Sequence, residues 1–125
     1  MSTALLWFRR DLRLDDHPAL LAACDAAGPG GRVVPVFVFD DRLYGPSGDP
    51  RRHFLLDCLA ELDASTGGAL VRRRGDPPAV LPQLVEELGA VSVHVTADAG
   101  PYGRRRDQAV EQALGDVPLV RTGSP

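Results

Sequence analysis

Five short apolar runs, each separated from the next by a segment with helical spacing, constrain this chain more than any other feature. The runs are residues 3–8, 33–39, 69–71, 91–96 and 117–120, rich in Val, Leu and aromatic side chains. Near-continuous apolar runs suit strands covered on both faces, as in parallel sheets. In the fourth, Val91, Val93 and Val95 alternate with Ser92, His94 and Thr96, a pattern that suits a strand nearer an edge.

The intervening segments carry helix punctuation. Asp15-Asp16-His17 precedes a helix over 18–27, with Pro18 in its first turn and Gly28 as its stop. Asp49-Pro50 opens the second, where Phe54, Leu55, Cys58, Leu59 and Leu62 form one stripe before Gly67-Gly68. Asp76-Pro77 opens the third, with Val80, Leu81, Leu84, Val85 and Leu88 on one face and Gly89 after it. The fourth runs from about 102 to 114, with Ala109, Val110, Ala113 and Leu114 predicted inward and Gly115 as the stop. The order is βαβαβαβαβ. It predicts an α/β fold: a five-stranded parallel, Rossmann-like sheet in the order 3-2-1-4-5 with helices on both faces and right-handed crossovers.

The 125 residues fit one domain, 1–125, long enough to bury roughly two-thirds of its unfolded surface. The longest apolar run, 33–39, is interrupted by Pro35 and is too short to span a bilayer. The N-terminus lacks the basic region and cleavage pattern of a secretory signal. Cys24 and Cys58 are far apart in sequence with no Cys-x-x-Cys, which argues against a disulfide framework or zinc site and for a reducing, cytoplasmic setting. All 14 basic residues are Arg, so ionic contacts must use the guanidinium fork and no Lys can form a Schiff base.

In open α/β sheets a ligand sits beyond the carboxyl ends of the strands, where strand order reverses. Here the runs end in charge: Arg9-Arg10-Asp11, Asp40-Asp41-Arg42, Arg72-Arg73-Arg74, and Asp98 after the fourth. The predicted order opens a crevice between the loops after strands one and four, bringing Arg9, Arg10 and Asp11 near Asp98. Two accounts of this rim stay open. Strand ends meet solvent and carry charge anyway, or the charges hold a polar ligand. Arg104-Arg105-Arg106 poses the same choice, because three cations oppose the macrodipole at a helix start. An anionic ligand or partner offsets them, or Asp98 and Asp107 do so from nearby.

Other signals are bland. Gly28-Pro29-Gly30-Gly31 follows a helix and precedes a strand, the reverse of a dinucleotide turn, and no phosphate loop is present. His17 reads as a helix-start residue, His94 as structural, and Trp7 as core. No residues form an acid/base, nucleophile or metal set.

The segment Leu6-Trp7-Phe8-Arg9-Arg10-Asp11-Leu12-Arg13-Leu14-Asp15-Asp16-His17-Pro18-Ala19-Leu20 resembles the opening of the DNA photolyase/cryptochrome family. Later pieces follow in order: Pro35-Val36-Phe37-Val38-Phe39-Asp40, Arg51 with Phe54-Leu55-Leu56, Gly75-Asp76-Pro77, and Pro101-Tyr102-Gly103 with Arg104, Arg106 and Asp107. The resemblance spans essentially the whole chain. It implies the family's N-terminal α/β domain, which carries a light-harvesting antenna pigment. The partner it implies is the family's C-terminal helical FAD-binding domain, which is absent here. Damaged DNA would be reached only through that domain, and no membrane is involved.

In a full-length deoxyribodipyrimidine photo-lyase the implied reaction is light-driven reversal of a pyrimidine dimer; this domain alone is not expected to repair DNA. By resemblance to deazaflavin-type members the pigment-binding residues are Arg9, Arg10, Asp11, Phe37, Asp40, Arg51 and Asp98. Arg10 and Arg51 meet acidic or carbonyl groups, Asp98 a ring N–H or hydroxyl, and Phe37 the apolar ring face. Gly100 stands where many members have Glu, which disfavours a folate and leaves a deazaflavin, a flavin or no pigment. Two alternatives remain: a cryptochrome-type blue-light signalling module, and a stand-alone nucleotide-binding or interaction domain of the same fold.

Overall fold

The strand β1 (Thr3–Phe8) is buried from residue 4 to residue 8, with large side chains on both faces. Only a strand with neighbours on either side and helices above and below meets that demand. It pairs in parallel with β2 (Arg32–Phe39), Trp7 opposite Val36, and with β4 (Ala90–Thr96), Leu6 opposite His94. The strand β3 (Val71–Arg74) adds to β2, and β5 (Leu119–Thr122) adds to β4. The sheet order is β3-β2-β1-β4-β5, all parallel, as the alternation predicts. The computed structural model describes residues 2–9, 14, 17–39, 49–98 and 100–123, with the backbone alone for 49–55. The sequence loop at 40–48 lies outside the described residues.

Four helices link the strands: α1 (Pro18–Ala27), α2 (Asp49–Ser65), α3 (Pro77–Leu88) and α4 (Pro101–Leu114). Leu6, Phe8 and Phe37 pack with Ala19 of α1 and Leu59 and Leu62 of α2. Leu5, Trp7, Val36, Val93 and Val95 pack with Leu81 and Leu84 of α3 and Val110 and Leu114 of α4. The sheet is therefore covered on both faces, and each fully buried Leu or Phe contributes about 1.5–3 kcal/mol. Helix starts follow the sequence punctuation. His17 caps α1, its Nδ1 accepting from the Leu20 N–H at 3.2 Å. Gly89 ends α3 at φ 65°, a left-handed conformation that costs a residue without a side chain nothing.

Three expectations shift. The third strand is 71–74 rather than 69–71, so Arg72, Arg73 and Arg74 lie within an edge strand and not in a loop beyond it. The Leu70 N–H is already taken by the Asp63 carboxylate at 3.2 Å. At an edge, charged side chains find water and acidic neighbours: Arg72 meets Asp63 at 3.3 Å and Arg73 meets Glu87 at 3.2 Å. Such charge also discourages edge-to-edge pairing. The fifth strand begins at Leu119 rather than 117, because Pro118 has no N–H for the ladder and the Val117 N–H closes onto the Leu114 carbonyl at 3.3 Å. In α4, Ala113 is exposed, and the buried stripe is Gly103, Asp107, Val110 and Leu114.

The strand β4 lies one position in from the edge, and its Ser92 and His94 are buried. His94 donates or accepts at Nε2 with the Ser92 hydroxyl at 2.8 Å, while its Nδ1 finds no hydrogen bond among the described residues. Burial lowers the proton affinity of His94 below its ordinary value of 6.5. The unfolded chain then binds the more protons in that window, so stability is complete above about pH 6.5 and is lost as pH falls through the lowered value. Thermal midpoints measured from about pH 7 down to about pH 5 should fall in the native chain, and His94→Gln should lose part of that slope.

Candidate functional site

At the carboxyl ends of β1 and β4 the chain builds an ionic cluster on one tryptophan. Trp7 and Arg9 are two residues apart in sequence, so both side chains project to the α3/α4 side of the sheet. The Arg9 guanidinium lies over the Trp7 ring, 4.8 Å from its centroid. Its Nη1 donates to Oδ1 of Asp107 and its Nη2 to the Thr96 carbonyl, tying β1 to α4 and to the end of β4.

The helix α4 supplies the rest. Asp107 is buried on its inner stripe, and Arg106 beside it donates through Nε to the same Oδ1 at 3.1 Å. The other end of that fork, Nη2, donates to Oδ2 of Asp98 at 3.2 Å. Arg106 also stacks over Trp7 at 5.5 Å and over Tyr102 at 5.9 Å, contacts typical of a guanidinium on an aromatic face. Asp98 is held again by the Gly100 N–H, which donates to its Oδ1 at 3.0 Å. Gly103 makes this approach possible: a Cβ there would lie 2.2 Å from Oδ2 of Asp98.

The four charges balance, two guanidiniums against two carboxylates. Their side chains are 10% (Arg9), 8% (Arg106), 2% (Asp107) and 19% (Asp98) exposed, so Asp98 is the most exposed member. Burial acts to raise the Asp98 proton affinity, but the Gly100 N–H, then Arg106 and Arg9, outweigh it and hold the carboxyl below its ordinary 3.8. Burial, followed by the facing charge of Arg106, lowers Arg9 from the usual guanidinium value, with Asp107 opposing both. Asp98 is thus an ionised acceptor at neutral pH, suited to a ligand's N–H or O–H. Beside the cluster, Asp76, Pro78, Tyr102, Arg105, Arg106 and Ala109 line a cleft of about 490 Å³, within the range of small-molecule sites.

Of the residues expected from the sequence, Arg9 and Asp98 come together in this cluster. Phe37 does not: it is buried on the opposite face, edge-on to Phe39 at 5.0 Å between ring centroids. Arg10, Asp11 and Asp40 lie outside the described residues, and Arg51 is in the first turn of α2 with its side chain outside them. In the sequence Arg106 reads as one of three cations at a helix start and Asp107 as a nearby compensating charge, both within the family-like segment, and neither is marked there as a site residue. The signal for more was Asp107 itself, which falls in step with Gly103, Val110 and Leu114 on the buried stripe. No group of three metal-ligating side chains occurs among the described residues, and no helix there is long and apolar enough to cross a membrane.

Known proteins place this architecture. The family model described as DNA photolyase matches residues 4–123. The chain is 42% identical over 121 residues to a deoxyribodipyrimidine photo-lyase of Streptomyces griseus, covering 93% of this chain and 26% of that protein. It is 40% identical to a cryptochrome DASH of Natronomonas pharaonis, covering 96% and 27%. A class III photolyase structure from Agrobacterium tumefaciens superposes with a TM-score of 0.80 at 35% identity, over 98% of this chain and 26% of that one. A photolyase structure from Sulfolobus tokodaii, described with two FAD molecules and a novel light-harvesting cofactor, superposes at 0.80 with 25% identity, over 98% and 29%. The chain spans about a quarter of the length of the curated relatives it matches.

Asp107 is the test of the cluster. Removing one partner from a buried charge network costs about 3–5 kcal/mol. Urea denaturation of Asp107→Asn should show a loss of that size, because Arg9 and Arg106 remain buried without their shared carboxylate.

Proposed function

The chain belongs to the DNA photolyase family, and on that footing we propose that it is a light-harvesting domain holding an antenna pigment in the crevice between β1 and β4. The observation that carries this is Asp98: an ionised carboxylate, pinned on two sides, just beyond the carboxyl end of β4, the end of an open parallel sheet at which ligands bind. Its fit is to a ring edge that offers N–H or O–H donors, as a deazaflavin or flavin does. The Sulfolobus photolyase with its second FAD supports a flavin-type occupant. Gly100, in place of an acidic residue, argues against a folate.

When bound, such a pigment absorbs near-ultraviolet or blue light and passes the excitation on. The residues of this chain bind and orient it. Asp98 accepts from the ring edge, Gly103 leaves room for the carboxylate, and Trp7 under its two guanidiniums supplies a rigid floor. Arg10, Asp11, Asp40 and Arg51 remain part of the proposed set, as does Phe37, whose buried position favours backing the crevice over touching the ring. The receiving group in the larger protein is a reduced FAD on a C-terminal helical domain. The reaction served is electron-driven reversal of pyrimidine dimers in DNA, as the Streptomyces relative's name supports. The cryptochrome DASH relative supports a second reading, blue-light signalling through the same pigment site. Dimer repair by the whole protein under blue light separates the two.

Reconstitution with 8-hydroxy-5-deazariboflavin, FMN, FAD and methenyltetrahydrofolate, followed by gel filtration and absorbance, tests the pigment role. We expect a deazaflavin or flavin to be retained, and Asp98→Ala to weaken it at least about tenfold, the value of one lost charge-assisted hydrogen bond. Gly103→Ala should weaken binding, because its Cβ would displace the Asp98 carboxylate. Retention of no pigment, or binding indifferent to Asp98, would sink the proposal.

A further inference from the structure

We infer that Arg106 is a positioning residue of the pigment site, which acts through Asp98 and fixes where that carboxylate points. The inference rests on the reading that Asp98 meets the pigment, and it assigns a role to a side chain that need not touch the pigment itself.

The geometry of the fork carries it. One nitrogen of Arg106, Nε, is anchored on the buried Asp107, and another, Nη2, holds Asp98. The plane between them lies over Trp7. The buried Asp107 and the Trp7 face hold the guanidinium in place, and the guanidinium together with the Gly100 N–H fixes where the Asp98 carboxylate points. Arg9 repeats the arrangement from β1, bridging Asp107 and the Thr96 carbonyl. Asp107 therefore serves as a common post to which both cations are tied, and Asp98 is the exposed end of the chain of contacts. A lysine cannot do this, since its single ammonium offers no planar pair of donors at fixed spacing. Among the described residues, the charged groups that act on Asp98 are Arg106 from α4 and Arg9 at the end of β1; Asp107 shares both of those cations, and Tyr102 and Asp76 line the cleft that Arg106 also lines. Arg106 is the nearer cation to Asp98, and its attraction helps to keep the carboxyl ionised.

Two measurements on this chain test the inference. The first is independent of any pigment: side-chain carbon NMR follows the Asp98 carboxyl as pH is lowered. Arg106→Gln should move its midpoint upward, and Arg106→Lys should move it less, since charge survives and orientation does not. The second is a binding cycle with 8-hydroxy-5-deazariboflavin and FMN as the probes. Arg106→Lys and Arg106→Gln should each weaken binding about tenfold or more, the size expected for a misaligned charge-assisted hydrogen bond. In an Asp98→Asn background, Arg106→Gln should then cost nothing further. Near-ultraviolet circular dichroism from Trp7 reports whether each variant keeps its packing, and Arg106→Lys is the variant to rely on if Arg106→Gln unfolds. Pigment binding that depends on Asp98 but is untouched by Arg106→Lys overturns the positioning role. An Asp98 midpoint unmoved by Arg106→Gln overturns it too. If the native chain retains neither probe, the pigment reading fails, and the positioning role toward it falls with it.

Discussion

Asp107 sits on the inner stripe of α4 with Arg9 from β1 and Arg106 from its own helix on the same carboxylate oxygen, and the order of the sheet's carboxyl-end rim follows from that shared contact. Without it, the two buried guanidiniums on Trp7 would lose the carboxylate they share, and Arg106 would be left on Asp98. With it, the residue that follows the central strand is fastened to the helix that follows β4, and the end of β4 is fastened to Arg9 through Thr96. Burying four charges is costly, and the cost is offset only when almost every donor finds an acceptor. Here the guanidinium forks meet two carboxylates and a backbone carbonyl and lie against the aromatic faces of Trp7 and Tyr102, while Oδ2 of Asp107 finds no hydrogen bond among the described residues.

The neutrality of the cluster shapes what the crevice can recognise. Arg9 and Arg106 are committed to internal carboxylates, so neither is a surplus cation awaiting an anion. Asp98 is the most exposed of the four side chains, and it is an acceptor. Among the described residues, a rim that reads as strongly charged in sequence is at this point a balanced set of two guanidiniums and two carboxylates. That suits selection by hydrogen-bond pattern rather than by net attraction, and partial burial makes it less sensitive to salt than a surface patch.

Much of the fold was legible because the signals were redundant. Each helix start carries Pro in its first turn, each helix is followed by Gly, and the central strand is apolar on both faces, so strand order and layering followed from general rules of α/β architecture. The misplaced ends have a common cause. At β3 the sheet stops needing apolar residues, so a run of Arg continues the strand where hydrophobicity says it is over. At β5 the apolar run begins at a residue that the preceding turn claims. The site was half legible. Loops after the first and fourth strands marked Arg9 and Asp98 correctly as neighbours. Sequence spacing does not say whether a guanidinium faces out to a ligand or in to a carboxylate, and Asp107, an acid on a buried stripe, was the clue that it faces in. Phe37 packs on the face of the sheet opposite Trp7, a position set by strand parity rather than by its distance from the rim.

Trp7 is the chain's only tryptophan, and it lies 2% exposed beneath two guanidiniums. All of the indole light absorption and emission of this chain therefore originates within the ionic cluster. The rim carries its own optical probe: an indole whose emission colour depends on whether it is roofed by cations or reached by water. Any event that slides Arg9 or Arg106 off the ring is visible in that one band, without a label.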